Sequence, residues 1–367
     1  MRIIFAGGGT GGHLYPGLAI ARAVQRLRPD IQPFFVGARR GVETDVLPGT
    51  GYPFVLLDLH PLYRSRVWNN WRTVAGLLTA WRGIGKLVRE ERPALVVGTG
   101  GYAAGAMLAY AAVHGIPLVE QTGDSLPSLT ARMFSRWATE IYLSFPESAK
   151  RFRVRGPDVL VDTGAPIDPP PEPRPPRAAA LQQWRFPGDA IVVLVYGGSQ
   201  GSLAINTAVR DWIKAGLPPR VHVIWGTGKK TFEEFAGLES DRVRVRPYLS
   251  PMAEAYAAAD LAVARAGTMT LAELFAWKIP ALLIPLPTAA ADHQTHNART
   301  LADAGAAVFL PQAELTGDRL EKTVAALLEN PARLEALARA AAARARPRAA
   351  EEIARRIIAI ADPGLRA

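Results

Sequence analysis

The chain opens on a continuous apolar run, Arg2 to Ala6, then a cluster of glycines, then a stretch from Leu14 to Leu27 whose apolar residues recur at helical spacing. The alternation continues. Strand-like runs at Gln32 to Val36, Phe54 to Leu57, Ala94 to Val97 and Pro117 to Glu120 are interleaved with helical stretches at Val74 to Arg89 and Ala103 to Val113. Runs that are apolar throughout, rather than at every second position, predict a parallel sheet covered on both faces. From Gly164 to Pro176 the sequence reads Gly-Ala-Pro-Ile-Asp-Pro-Pro-Pro-Glu-Pro-Arg-Pro-Pro, which supports neither helix nor sheet ladder and predicts an interdomain linker.

The pattern then restarts. Ile191 to Tyr196 runs into Gly197-Gly198-Ser199-Gln200-Gly201 and a helix through Asn206 and Ile213, with further strands predicted at His222 to Trp225, Val243 to Val245, Leu261 to Ala264 and Ala281 to Ile284. An alanine-rich helix from Pro331 to Arg346 meets Pro347, and a last helix, Ala349 to Ile360, is free to cross back to the first domain. The prediction is an α/β protein of two domains, residues 1–163 with a returning segment at about 347–367, and residues 164–346. A chain of 367 residues with 49% hydrophobic residues is long enough for two cores.

Composition narrows the chemistry. There is no cysteine, which excludes disulfides, thiolate nucleophiles and cysteine-ligated metals. The apolar start is too short for a signal peptide, and no segment offers about 18 apolar residues for a membrane span. A formal charge of +10 favours an anionic partner, whether nucleic acid, an acidic lipid surface or a phosphorylated substrate.

The candidate chemistry begins at Gly7-Gly8-Gly9-Thr10-Gly11-Gly12-His13, a glycine loop between a strand and a helix. Such a loop brings bare backbone amides up to an anion at the helix N-terminus. Gly7, Gly9 and Gly12 also satisfy the dinucleotide-binding spacing, so an NAD(P) oxidoreductase is a competing reading. Against it, the second strand runs into Gly37-Ala38-Arg39-Arg40 with no acid at its end, although the arginine pair suits a 2′-phosphate. His13 places a titratable base beside the loop, and Glu43, Asp45 and Asp124 are alternative bases.

The densest polar constellation runs from Arg265 to Asn297. Thr270 and Glu273 have capping-box spacing, which reads either as a capped helix or as a helix N-terminus meeting a diphosphate, with Glu273 accepting hydrogen bonds from a ribose. Asp292, His293 and His296 are a weak metal candidate. The segment Trp68 to Arg82, with Trp71, Val74, Leu77, Leu78 and Trp81 at helical spacing and Tyr63, Arg64 and Arg66 before it, reads either as an amphipathic core helix or as an interfacial helix among lipid headgroups.

Taken together, Gly-Gly-Thr-Gly-Gly-His with Pro16, Gly-Thr-Gly-Gly-Tyr at Gly98 to Tyr102, Gly-Gly-Ser-Gln-Gly with Asn206, Arg265-Ala266-Gly267 with Thr270 and Glu273, and His293-Gln294 with Asn297-Ala298 closely resemble the MurG family of N-acetylglucosamine transferases. The resemblance runs from Ile3 to about Ala304, and the order and spacing of the motifs make it specific. It implies a GT-B fold, with two Rossmann-like domains of parallel sheets facing a central cleft and the final helix returning to the N-terminal, membrane-associated acceptor domain. It also implies an inverting, cofactor-free and metal-independent transfer of N-acetylglucosamine from UDP-N-acetylglucosamine to the muramyl 4-hydroxyl of undecaprenyl-diphosphate-linked lipid I, giving lipid II. The partners it implies are these two substrates and an anionic membrane surface at the cytoplasmic face of the cell membrane, with no nucleic acid.

By motif match, the resemblance places Thr10, Gly11 and Gly12 at the loop that meets the sugar substrates and makes His13 the base. Ser199 and Gln200 fall on donor phosphate, the Leu249 backbone on the uracil edge, Arg265 and Gly267 at the donor loop, Met269 and Thr270 on the phosphate-facing helix start, Glu273 on the ribose, where it counts with His13 as a catalytic residue, and Gln294 on the donor sugar. The chain departs from the family pattern twice. Thr122 stands where an asparagine follows Glu-Gln, and Asp168 stands where an arginine ends the junction motif, leaving Arg174, Arg177 or the Arg39 and Arg40 pair as substitute cations. The competing activities are another GT-B transferase with a lipid acceptor, a UDP-N-acetylglucosamine 2-epimerase, and a non-catalytic binding protein.

Overall fold

A computed structural model of the chain describes residues 1–59, 70–198, 200–362 and 364. Tyr63, Arg64, Arg66, Trp68 and Ser199 lie outside the described residues, as do the side chains of residues 70–78 and 102. The chain divides into two compact units, Met1–Asp168 with Arg348–Ala367, and Pro169–Pro347.

The first unit is built on strands β1 (Arg2–Gly7), β2 (Gln32–Ala38), β3 (Phe54–Leu57), β4 (Leu95–Gly100), β5 (Leu118–Thr122), β6 (Glu140–Leu143) and β7 (Leu160–Asp162), in the spatial order β3-β2-β1-β4-β5-β6-β7. Every pairing in it is parallel. One face of the sheet buries Ile4, Val96, Leu118 and Ile141 beneath Met107 and Leu108 of the helix Gly101–His114. The other buries Ile3, Phe5 and Val97 against Leu18 and Val24 of the helix Gly11–Leu27, where Ile353, Ile357 and Ile358 of the helix Ala349–Ala361 join them. The last helix therefore completes the core of the first unit. Its isoleucines recur every three or four residues, the spacing of one buried stripe.

The second unit repeats the plan with β8 (Ile191–Tyr196), β9 (Val221–Gly226), β10 (Val243–Arg246), β11 (Leu261–Ala264), β12 (Ala281–Leu283) and β13 (Val308–Phe309), ordered β10-β9-β8-β11-β12-β13 and again parallel. Residues 163–176 carry neither helix nor strand, as their prolines require. Three strands escape the hydropathy pattern. β6 begins at a charged residue, β7 lies partly exposed at the sheet edge, and β13 is only two residues long.

In both units the order of strands reverses at one point, between β1 and β4 in the first and between β8 and β11 in the second. Loops at the carboxyl ends of these strands diverge around a crevice where open parallel sheets bind ligands. All the glycine motifs fall there.

Candidate active site

The first unit contributes the loop after β1. The helix Gly11–Leu27 starts at Thr10, whose side chain does not cap it. The His13 carbonyl accepts a 2.7 Å hydrogen bond from Thr99 Oγ1, which ties the first helical turn to β4. The half-buried His13 ring leans against the end of that strand. A Cβ added at Gly100 would stand 2.7 Å from His13 Cδ2, and one at Gly101 only 2.2 Å from the Gly8 carbonyl oxygen, so the Gly-Gly pair clears the seat of the imidazole. His13 Nδ1 lies 3.2 Å from the Gly8 carbonyl and 3.2 Å from Thr10 Oγ1. A carbonyl only accepts, so this contact calls for a proton on Nδ1 and leaves Nε2 as the basic nitrogen.

Two expectations for this loop change. The amide of Gly9, read as bare and ready for a ligand anion, is already bound to both oxygens of Glu43 at 2.9 and 3.0 Å. Glu43 also accepts from the Ala38 amide at 2.8 Å and is fully buried, so it is an internal anion of the loop and no base for a sugar hydroxyl. Thr10 and Gly12 are exposed and Gly11 is half-buried at the mouth of the loop.

Next to it, β5 ends in Glu120, Gln121 and Thr122, all buried. Gln121 Nε2 donates to Ser144 Oγ at 3.0 Å, whereas Glu120 Oε1 and Thr122 Oγ1 find no hydrogen-bond partner among the described residues. Burial pushes the Glu120 carboxyl well above its ordinary range. Asp168 is paired with Arg22 of the first helix at 2.7 Å, on the surface of the same unit.

The second unit carries the donor motifs. Ser202 caps the helix Leu203–Ala215 through the Ile205 amide, with exposed Gln200 in the loop before it. Asn206, buried in the first turn of this helix, donates to the Thr227 carbonyl and accepts from Trp225 Nε1, so it braces the turn after β9. Arg265 follows β11 and is nearly buried. Its guanidinium donates to the carbonyls of Ile284 and Pro285, to Ser202 Oγ and to Gln312 Oε1, at 2.6 to 3.0 Å. Burial lowers its pKa to about 10, which still leaves it charged at neutral pH. It knits the loops after β8, β11 and β12 into one rim.

From that rim rises the helix Thr268–Trp277, capped by Gly267 without any side-chain bond. Its first-turn residues are Thr268, Met269 and Thr270, so Thr270 is inside the helix and the capping box does not form. Glu273 instead accepts a 2.7 Å bond from the Tyr256 hydroxyl, which lies 3.2 Å from the Tyr196 hydroxyl. Gln294 accepts from the Leu286 amide at 3.0 Å, and Asn297 donates to the Ala266 carbonyl. Leu249 is buried beside Gly226 at the end of β9.

Two of the proposed substitute cations are otherwise engaged. Arg177 is held by Asp260 and the carbonyls of Ala258 and Ala190, and Arg174 by the Ala276 carbonyl and the Trp277 ring. Among the described residues no group of three His, Asp or Glu side chains is gathered for a metal ion. Sequence reasoning missed Tyr256, whose signal is only a tyrosine in a short alanine-rich helix, and the anchoring role of Glu43.

Comparison with known proteins accounts for both units. The Glycosyltransferase family 28 N-terminal domain matches residues 3–143, and the Glycosyltransferase family 28 C-terminal domain matches residues 192–353. A UDP-N-acetylglucosamine–N-acetylmuramyl-(pentapeptide) pyrophosphoryl-undecaprenol N-acetylglucosamine transferase of Salinibacter ruber is 41% identical over 372 residues, 98% of this chain and 97% of its own length. Its counterpart in Desulforudis audaxviator is 39% identical over 384 residues and is matched along 100% of both chains. The crystal structure of Acinetobacter baumannii MurG superposes with a TM-score of 0.77 at 27% identity, over 97% of this chain and 98% of that one. With two parallel sheets of GT-B type and relatives matched from end to end, the chain belongs to the MurG family of glycosyltransferases.

Proposed function

We propose that the protein transfers N-acetylglucosamine from UDP-N-acetylglucosamine to the muramyl 4-hydroxyl of undecaprenyl-diphosphate-linked lipid I, releasing UDP and forming lipid II for peptidoglycan synthesis, and so serves cell shape and division. The observation that carries this reading is the seat of His13, whose Nδ1 faces the Gly8 carbonyl and whose Nε2 is thereby the proton acceptor. In the forward step Nε2 takes the hydroxyl proton while the oxygen attacks the anomeric carbon. The bond from that carbon to the UDP oxygen breaks as the new one forms, so a single displacement inverts the configuration.

The leaving diphosphate gains negative charge. The helix Thr268–Trp277 presents first-turn amides and the positive end of its dipole with no capping side chain, an arrangement suited to that charge. On this reading Met269 and Thr270 receive the diphosphate, Glu273 the ribose, the Leu249 backbone the uracil and Gln294 the sugar. Gln200 and Ser199 close on phosphate, and Thr10, Gly11, Gly12 and Thr122 line the sugar and acceptor side.

An acceptor with a polyprenyl tail requires approach to a bilayer, and no helix among the described residues is long and apolar enough to cross one. Support for a peripheral mode at the cytoplasmic face comes from exposed Leu129, Met133 and Trp137, interspersed with Arg132 and Arg136, and from exposed Trp81, tilted against the Tyr110 ring. Apolar side chains among arginines suit an anionic headgroup layer.

The test is product identity. Incubation with UDP-N-acetylglucosamine and a short-chain lipid I analogue should yield UDP and a β-linked disaccharide product by mass spectrometry and NMR. Incubation with donor alone should yield no 2-epimer. Epimer formation, or no UDP release with both substrates, would overturn the reading.

A further inference from the structure

A single peptide group, Gly8–Gly9, has both of its polar ends engaged by side chains. Its carbonyl oxygen lies 3.2 Å from His13 Nδ1, and its amide nitrogen lies 2.9 and 3.0 Å from the two oxygens of Glu43. Space for the carboxylate has been cleared on several sides. A Cβ at Gly8 or at Gly41 would stand 2.1 Å from a Glu43 oxygen, and one at Gly37 would stand 2.8 Å from its Cγ. Glu43 is fully buried and accepts from the backbone amides of Gly9 and Ala38. A buried carboxylate that merely stapled β2 to the loop would need only those amides. Here the amide it grips belongs to the same resonant unit as the carbonyl that holds the imidazole.

We propose that Glu43 is a positioning residue for His13, acting through the Gly8–Gly9 peptide as a carboxylate–peptide–imidazole relay. The inference rests on His13 being the base. The peptide C–N bond has partial double-bond character, so charge placed on its N–H enriches its carbonyl oxygen. The Gly8 oxygen becomes a stronger acceptor, fixes the proton on Nδ1 and directs Nε2 to the acceptor hydroxyl. When Nε2 takes the proton, the imidazolium formed is hydrogen-bonded to a carbonyl polarised by an anion. Glu43 itself touches neither substrate.

Solution NMR of the full-length protein with labelled histidine and glycine tests the relay. In the wild type the His13 ring should be the Nδ1–H tautomer at high pH, and the Gly9 amide resonance should move with the same midpoint as the imidazole when His13 titrates. In Glu43→Gln the tautomer should become mixed and kcat should fall about ten- to a hundredfold, with KM for UDP-N-acetylglucosamine changed less than about threefold. Glu43→Asp, which keeps the charge, should recover part of kcat. An Nε2–H tautomer, a Gly9 amide indifferent to His13, or a folded Glu43→Gln with wild-type kcat and tautomer would overturn the relay. The wild-type NMR decides the matter even where Glu43→Gln fails to fold. His13→Ala separates the two ideas, since a fully active His13→Ala defeats the base assignment, whereas an inactive one beside an indifferent Gly9 amide defeats only the relay.

Discussion

The hydroxyl of Tyr256 donates to Glu273 Oε2 at 2.7 Å, joining the short helix Met252–Ala258 to the helix that carries the proposed ribose contact. The bond holds the Glu273 carboxylate in one orientation before any nucleotide arrives. Burial, with the neighbouring Tyr196 hydroxyl and Glu273 charge behind it, pushes the Tyr256 hydroxyl well above its ordinary pKa, so it stays a donor at every working pH. Tyr256→Phe should therefore raise KM for UDP-N-acetylglucosamine about three- to tenfold with kcat altered less than about twofold. Steady-state kinetics at varied donor checks this, and an unchanged KM would detach Tyr256 from the donor site.

Glu120 supplies the pH-dependent prediction. Its folded pKa is raised above the ordinary 4.5 by burial, so folded and unfolded states both hold the proton at low pH, and only the unfolded state releases it easily as pH rises. Stability is thus lost as pH climbs from about the unfolded value through the folded one, and the loss stays constant above that. Glu120→Gln removes the titration. Relative to wild type it should be more stable at pH 8 and little changed at pH 4, measured by urea denaturation at both pH values. An equal difference at both would contradict the assignment.

Arg265 sits in a family motif, yet its four acceptors are protein atoms. Arg265→Met should strand two carbonyls, Ser202 Oγ and Gln312 Oε1 and destabilise the second unit by about 2–4 kcal/mol. Donor affinity should fall with it because the start of the helix Thr268–Trp277 loses its brace. Denaturation midpoints and calorimetric UDP binding check both, and a normal midpoint with lost binding would make Arg265 a ligand contact instead.

The exposed apolar residues of the first unit are testable apart from chemistry. Leu129 and Met133 lie one helical turn apart at 49% and 55% exposure, and Trp137 follows at 41%. A Leu129→Ser, Met133→Ser and Trp137→Ser triple variant should fold normally and lose about tenfold in binding to phosphatidylglycerol vesicles, because each removes apolar area that a headgroup layer would cover. Undiminished co-sedimentation would place membrane contact elsewhere.

The alternation of apolar runs and helical stretches was enough to read the parallel sheets, because strands such as Ile191–Tyr196 are buried on both faces and carry no charged residue inward or outward. It failed at Glu140–Leu143 and Val308–Phe309, where a strand is specified by its neighbours in the sheet rather than by its own pattern. At the site, motif spacing located the loops but not their internal bonds. Thr270 and Glu273 have the separation of a capping box, yet the helix begins at Thr268 and Glu273 turns to Tyr256, a partner 17 residues away. Glu43 and Gly9 meet across 34 residues, and long-range pairing of that kind leaves no periodic trace.

The central claim is that His13 is the base of an inverting N-acetylglucosamine transfer, and single-turnover UDP release with both substrates saturating measures it most directly. His13→Ala should retain UDP binding within about threefold while the rate of UDP release falls at least about a hundredfold. A His13→Ala protein that releases UDP at the wild-type rate would contradict the account.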